Sequence, residues 1–382
     1  MKNNNFLATI ILTIIFGLAA GIVGGVVAKV YLLDNFYNIP FFGEIDFSND
    51  YNKQGIIIRD AKKVIVEQNT RVSEVIDSSG ASLVGIFKKQ PLAKSIGGNN
   101  FNLNNYYQPD QNISQGLIIT SDGWVVADLL TETINKPEDY VAITKDKKIY
   151  SVDKIIKDNL TTFSFIHIAV KDLPARKFVA DEDIKNGNLV VALDWHGNSL
   201  LSNIASRQNQ SSELVNFSDS VFGEIILDNK LSQEFSKAIL FNLSGDILAI
   251  VDRQAIIRPI SQLTGAINSL LKYKEIRRPM LGINYINLNN LILINSAVPD
   301  YLKKGAVISG APGNLAIVKN SPAYLAGLKA GDIIVSVDNQ ELDENNNLTK
   351  IIQQHIAGDK INIEYWRQGE KKQVEVVLGQ LK

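Results

Sequence analysis

Three histidines, His167, His196 and His355, are all the imidazole that this chain of 382 residues contains, and it has no cysteine. Any mechanism that carries protons on histidine must use one of these positions. Thiol catalysis, disulfides and cysteine-based metal sites are excluded. No two histidines stand at metal-ligand spacing, so neither a metal nor another cofactor is expected. Acyl-transfer chemistry on a hydroxyl needs a serine, an imidazole and a carboxylate in sequence. Asp194, His196 and Ser236 supply those types, but Asp194 and His196 lie two residues apart beside a turn, where the carboxylate cannot reach the far ring nitrogen. Ser236 with Lys237 is a poor serine–lysine pair, because adjacent strand residues face opposite sides. The histidines read more simply as a strand residue (His167), a turn residue (His196) and an exposed or groove-rim helix residue (His355).

The elements around these residues point to a mainly β protein. With 45% hydrophobic and 21% charged residues the composition is globular, and 39 basic against 40 acidic residues leave no basic field for nucleic acid. Phe6 to Ala28 carries no charge over a length that spans a bilayer core as a helix, so a transmembrane anchor is expected over residues 1–33. Residues 34–79 read as a connector, a strand followed by an amphipathic segment, with Phe36, Tyr37, Phe41 and Phe42 available for lipid or subunit contact. Between about 80 and 262, short β-branched runs such as ASLVGIFKK, WVVADLL, YVAIT and NLVVALDW alternate with turn signals at Ser121-Asp122-Gly123 and Ser244-Gly245-Asp246. That pattern suits a barrel or sandwich. The helical stretch ISQLTGAINSLLKYKE then marks the boundary to a last module, residues 277–380.

In this module SPAYLAGLKAGDIIVSVDNQ (321–340) resembles the S-P-A-x-x-A-G-L-x-x-G-D-x-I motif of the PDZ domain, in the circularly arranged form that follows proteases of the HtrA/Deg family. The resemblance implies β-augmentation, in which an extended peptide adds a strand to a sheet edge. Met280-Leu281-Gly282-Ile283 looks like that family's carboxylate-binding loop, and Ile283, Leu348 and Ile352 would line the pocket for an apolar terminal residue. An open groove that takes peptide or protein C-termini is the expectation.

With that module placed, the preceding region resembles the trypsin-like domain of the same family, a double β-barrel. GLIITSDGWVVADLL (116–130), IHIAVKDLP (166–174), NGNLVVALDWHG (186–197) and LDNKLSQEFSKAILFNLSGDILAI (227–250) carry the likeness in the right order. On this alignment Leu130 stands at the position of the catalytic histidine, His167 at that of the aspartate and Ser236 at that of the nucleophile. The family's G-N-S-G-G reads Glu234-Phe235-Ser236-Lys237-Ala238. Losing the glycines costs the backbone freedom that aims the oxyanion donors. A carboxylate at Glu234 would oppose developing negative charge there, by about 4 kcal/mol at about 4 Å in an effective dielectric near 20. The reading is therefore a membrane-anchored pseudoprotease with its globular part outside the cytoplasm. It would bind peptides, as a homotrimer or in mixed oligomers as the resemblance implies, without nucleic acid. An active serine endopeptidase with non-standard catalytic residues is the alternative.

Overall fold

The computed structural model describes residues 4–27, 59–91, 102–129, 136–208, 213–294 and 297–381. Leu130 and the four connector aromatics lie outside them. The chain divides into two units, Met1–Lys63 and Val64–Lys382. The first contains helix α1 (Asn4–Val27). Among the described residues no helix is long and apolar enough to cross a membrane; the side chains of α1 are described only over 13–24. Within that stretch Ile14, Phe16, Leu18, Ile22 and Val23 are all more than half exposed.

The connector holds no strand among its described residues; Arg59–Ser79 is a helix, α2. Its apolar positions Val72, Val75 and Ile76 recur at helical spacing and pack into the barrel core, which a strand would alternate away. Six strands then close the first barrel: β1 (Leu83–Lys88), β2 (Ser114–Ile118), β3 (Trp124–Asp128), β4 (Tyr140–Thr144), β5 (Ile149–Lys157) and β6 (Phe163–Ile168), ordered β1-β2-β3-β6-β5-β4. The next run comprises β7 (Leu189–Leu193), β8 (Ser199–Gln208), β9 (Val215–Phe217), β10 (Glu224–Leu227), β11 (Ile239–Asn242), β12 (Ile247–Val251) and β13 (Ile257–Pro259). All but β9 close a second barrel, ordered β10-β13-β12-β11-β7-β8. Helix α3 (Thr264–Tyr273) lays Ala266, Ile267 and Leu270 on the core shared by the two barrels, beside Phe163, Phe165, Ile239 and Phe241.

The C-terminal module contains β14 (Pro279–Met280), β15 (Asn284–Asn287), β16 (Ala306–Ile308), α4 (Pro322–Leu325), β17 (Ile333–Val337), β18 (Gln340–Glu341), α5 (Leu348–Gln354), β19 (Lys360–Arg367), β20 (Glu370–Val377) and β21 (Gly379–Gln380). Ser321 caps α4 by accepting from Tyr324 N, with Pro322 at the first turn, as the motif's Ser-Pro requires. The main sheet runs β20-β19-β17-β16-β15-β9. Its last strand comes from the barrel region, so the barrel and the module share a sheet across the sequence boundary at 262–277.

Two ion pairs tie the module to the barrels. Arg278 meets Asp158 at 2.5 Å, both almost fully buried. Lys350 of α5 and Arg207 of β8 both meet Asp181, at 2.5 and 2.8 Å. Burial raises the Asp181 carboxyl's pKa, but hydrogen bonds from Arg207 and Lys350 outweigh it and hold the group below its ordinary range.

Candidate functional site

Functional chemistry in this fold would sit at two places, the region of Ser236 and the loop Met280–Ile283. At the first, Gln233–Phe235 forms a tight 3-10 turn that Ser236 closes by donating its N–H to Gln233 O at 3.0 Å. Glu234 is exposed. Lys237 holds a left-handed backbone, φ 68°, the conformation a glycine would take without strain. Its side chain is half-buried; Nζ donates to Ile113 O at 3.0 Å, and its carbonyl accepts from Gln115 Nε2 at 2.5 Å. Burial pushes the Lys237 ammonium below its usual range, opposed by Asp128 and reinforced by the Arg253 cation. Gln115 Oε1 in turn accepts from Trp195 N. Asp128, nearly fully buried, takes the Nε and backbone N–H of Arg253 and the hydroxyl of Thr162, each at 2.8 Å. Polar bridges from barrel to barrel thus cross the region of Ser236.

The histidines do not converge on that serine. His167 sits on β6, where Nδ1 faces Asp153 Oδ1 at 2.7 Å and Nε2 faces Asp122 O at 3.2 Å. His196 Nε2 faces Pro109 O at 3.2 Å, and Asp194 spends its oxygens on the turn, accepting from Gly197 N, Asn198 N and the Asn198 amide. His355 lies 3.8 Å from both Asp338 and Asp359. No cluster of potential metal ligands occurs among the described residues.

The loop Met280–Ile283 is filled in a way the sequence did not suggest. Gly282 adopts φ 82°, and a Cβ there would stand 2.3 Å from Ser321 Cβ, so the loop Met280–Ile283 requires glycine. Its amides converge on one carboxylate belonging to the chain itself. Asp219 Oδ1 accepts from Leu281 N at 2.8 Å, and Oδ2 from Gly282 N at 2.9 Å. Ile283 N donates to Ser218 Oγ at 3.0 Å. Upstream of Asp219, β9 pairs antiparallel with β15, placing Phe217 opposite Asn284, Asn216 opposite Tyr285 and Val215 opposite Ile286. Thr349 of α5 donates its hydroxyl to Phe217 O at 2.9 Å, holding the strand from the helix side. Asp219 is 1% exposed and has no ion-pair partner among the described residues. Burial pushes its carboxyl above the ordinary range, against the opposing hydrogen bonds of Leu281, Ser218 and Gly282.

Leu281, Ile283, Leu348 and Ile352 are brought together, but as fully buried members of one core cluster. The expected open groove is therefore occupied by β9 and its carboxylate. Sequence reasoning missed Ser218, Asp219, Gln115 and Arg253. The only signal for the first two is the alternation of Val215-Asn216-Phe217 in a stretch that otherwise reads as a loop.

A pair of six-stranded barrels with a shared core, followed by a module whose glycine loop gathers amides on a carboxylate, defines a trypsin-like fold carrying a PDZ domain. Residues 279–378 match the PDZ domain family model. A probable periplasmic serine endoprotease DegP-like from Marinomonas sp. is 23% identical over 348 residues, covering 80% of this chain and 70% of that protein. One from Pseudomonas fluorescens is 24% identical over 283 residues, covering 70% and 56%. The chain spans little more than half the length of this and other such relatives. Among solved structures, the HtrA-type protease AlgW with decapeptide aligns with a TM-score of 0.54 at 16% identity, over 81% of this chain and 99% of that one. AlgW with tripeptide aligns with a TM-score of 0.52, also at 16% identity, over 81% and 97%. The chain is thus similar to HtrA/DegP-like proteins, and its fold is a trypsin-like double barrel with a C-terminal PDZ domain.

Proposed function

We propose that this protein is a membrane-anchored, HtrA-like pseudoprotease that holds peptide or protein C-termini in its PDZ groove and does not hydrolyse them. The observation that carries the binding half is the grip of Leu281 and Gly282 amides on a carboxylate, which is the chemistry a peptide terminus brings. Support for the inactive half comes from the sequence, which offers no histidine before His167, and from Ser236, whose N–H closes a turn where an oxyanion donor is needed. Support for the anchor comes from the uncharged run Phe6 to Ala28 and from the exposure of Ile14, Ile15, Phe16, Leu18, Ile22 and Val23 within 13–24. The DegP-like relatives are described as periplasmic, which fits a globular part outside the cytoplasm.

The test compares one peptide in two forms. Titrated by fluorescence anisotropy against the full-length chain in detergent, a peptide ending in a free carboxylate after an apolar residue should bind at least about tenfold tighter than its amide. A hydrogen bond to a charged acceptor contributes roughly 1.5–3 kcal/mol, and the amide forfeits it. Equal binding of the two forms would remove the C-terminus reading.

A further inference from the structure

The segment Val215–Asp219 runs antiparallel to β15 with its downstream end at the glycine loop. A free peptide adding to this edge with its terminus in the loop would run in the same direction and use the same hydrogen bonds. Ser218 continues the ladder, donating its N–H to Ile283 O at 2.9 Å and accepting from Ile283 N through its hydroxyl. The chain does not end there. It continues through Ser220, so the anion is supplied by the Asp219 side chain instead of a terminus. Every element of a bound C-terminal peptide is present, in cis.

We propose that Val215–Asp219 is a tethered ligand of the PDZ groove, with Asp219 holding the place of a peptide's terminal carboxylate, and that a free C-terminus binds only by displacing it. This rests on the reading of the groove as a C-terminus receptor. Displacement is feasible because the tether is held by few groups: one short strand pairing, the two hydrogen bonds between Ser218 and Ile283, one contact from Thr349, and a buried carboxylate satisfied by neutral donors with no ion-pair partner among the described residues. An incoming carboxylate regains the same amides, while Asp219 returns to water. The tether sets a threshold. At an effective concentration of about 1 mM for a short linked segment, and an intrinsic affinity of about 10 µM, the filled groove outweighs the open one about 100-fold. A free peptide's apparent Kd is weakened by the same factor.

The experiment uses the full-length chain in detergent and a fluorescein-labelled short peptide with a free carboxylate after valine. Asp219→Ala should tighten its Kd about 100-fold relative to wild type. Because the chain has no other cysteine, Phe217→Cys with Asn284→Cys creates a single cross-strand pair at opposed positions of β9 and β15. Oxidised, this variant should show no binding up to millimolar peptide; reduction of the same sample should restore it. The oxidised and reduced forms share one sequence, so a folding defect cannot imitate the difference. Equal affinity for wild type, Asp219→Ala and the oxidised pair would overturn the tethered-ligand proposal and leave the receptor reading standing. No binding by any form, including Asp219→Ala, would overturn both.

Discussion

Unfolded protein substrates should emerge intact from incubation with this chain, at a turnover at least about 10⁶-fold below that of a relative with a complete triad, the loss expected when nucleophile or base is removed. The reasons lie around Ser236. On the proposed reading its proton has no imidazole to go to: the ring nitrogens of His167 face Asp153 and the Asp122 carbonyl, those of His196 face Pro109 and Asp194, and those of His355 face Asp338 and Asp359. Its backbone N–H is committed to Gln233 O, and Lys237 reaches across the cleft to Ile113. Replacing the missing groups alone, Leu130→His with His167→Asp, should not restore cleavage, because the turn at Gln233–Ser236 leaves the oxyanion without its donor. Gel-based release of fragments from casein checks the rate. Stoichiometric labelling of Ser236 by a fluorophosphonate probe would contradict the inactive reading and favour an endopeptidase with non-standard residues.

Breaking the tie between the PDZ module and the first barrel should have the largest effect on stability. Arg278 and Asp158 are 4% and 0% exposed at the side chain, and Asp158 also accepts from the Thr161 hydroxyl at 2.8 Å. Arg278→Met leaves that carboxylate buried without its cation, which costs roughly 3–5 kcal/mol. For the unit Val64–Lys382 that corresponds to a fall in Tm of about 4–8 °C. Arg278→Met combined with Asp158→Leu should recover most of the loss, since the uncompensated charge is then gone. Differential scanning calorimetry of the three variants reads both effects. If Arg278→Met melts within about 2 °C of wild type, the pair is not what locks the module in place.

Most of the scaffold was legible because its strands are apolar on both faces. Leu83–Lys88, Trp124–Asp128, Tyr140–Thr144 and Leu189–Leu193 are almost wholly buried, and such continuous β-branched runs announce themselves. The strands Ile149–Lys157 and Ser199–Gln208 were not, because they alternate buried with exposed and carry Lys, Asp, Asn and Ser on the outer face. Helix Arg59–Ser79 was half seen: its amphipathic spacing was evident, its helical continuity was not. Met280-Leu281-Gly282-Ile283 drew notice only through its resemblance to a carboxylate-binding loop; the φ that Gly282 takes beside Ser321 is a structural fact that the sequence does not show. Its occupant carries no such resemblance. Asp219 meets the loop across more than sixty positions of sequence, and nothing local in Asn-Phe-Ser-Asp-Ser distinguishes a docking strand from a surface turn. The same holds for Arg253 with Asp128, a long-range pair formed only when two barrels close side by side.

The central claim is that the carboxylate loop of the PDZ domain is satisfied from within, and amide hydrogen exchange of the full-length chain tests it most directly. Leu281, Gly282 and Ile283 donate to Asp219 and Ser218 of the same chain. Their amides should therefore exchange at least about 100-fold more slowly than an open loop, matching the occupancy estimated for a tethered segment. In Asp219→Ala the protection of Leu281 and Gly282 should collapse toward that open-loop rate. Fast exchange at these amides in the wild-type chain, or protection unchanged by Asp219→Ala, would contradict it.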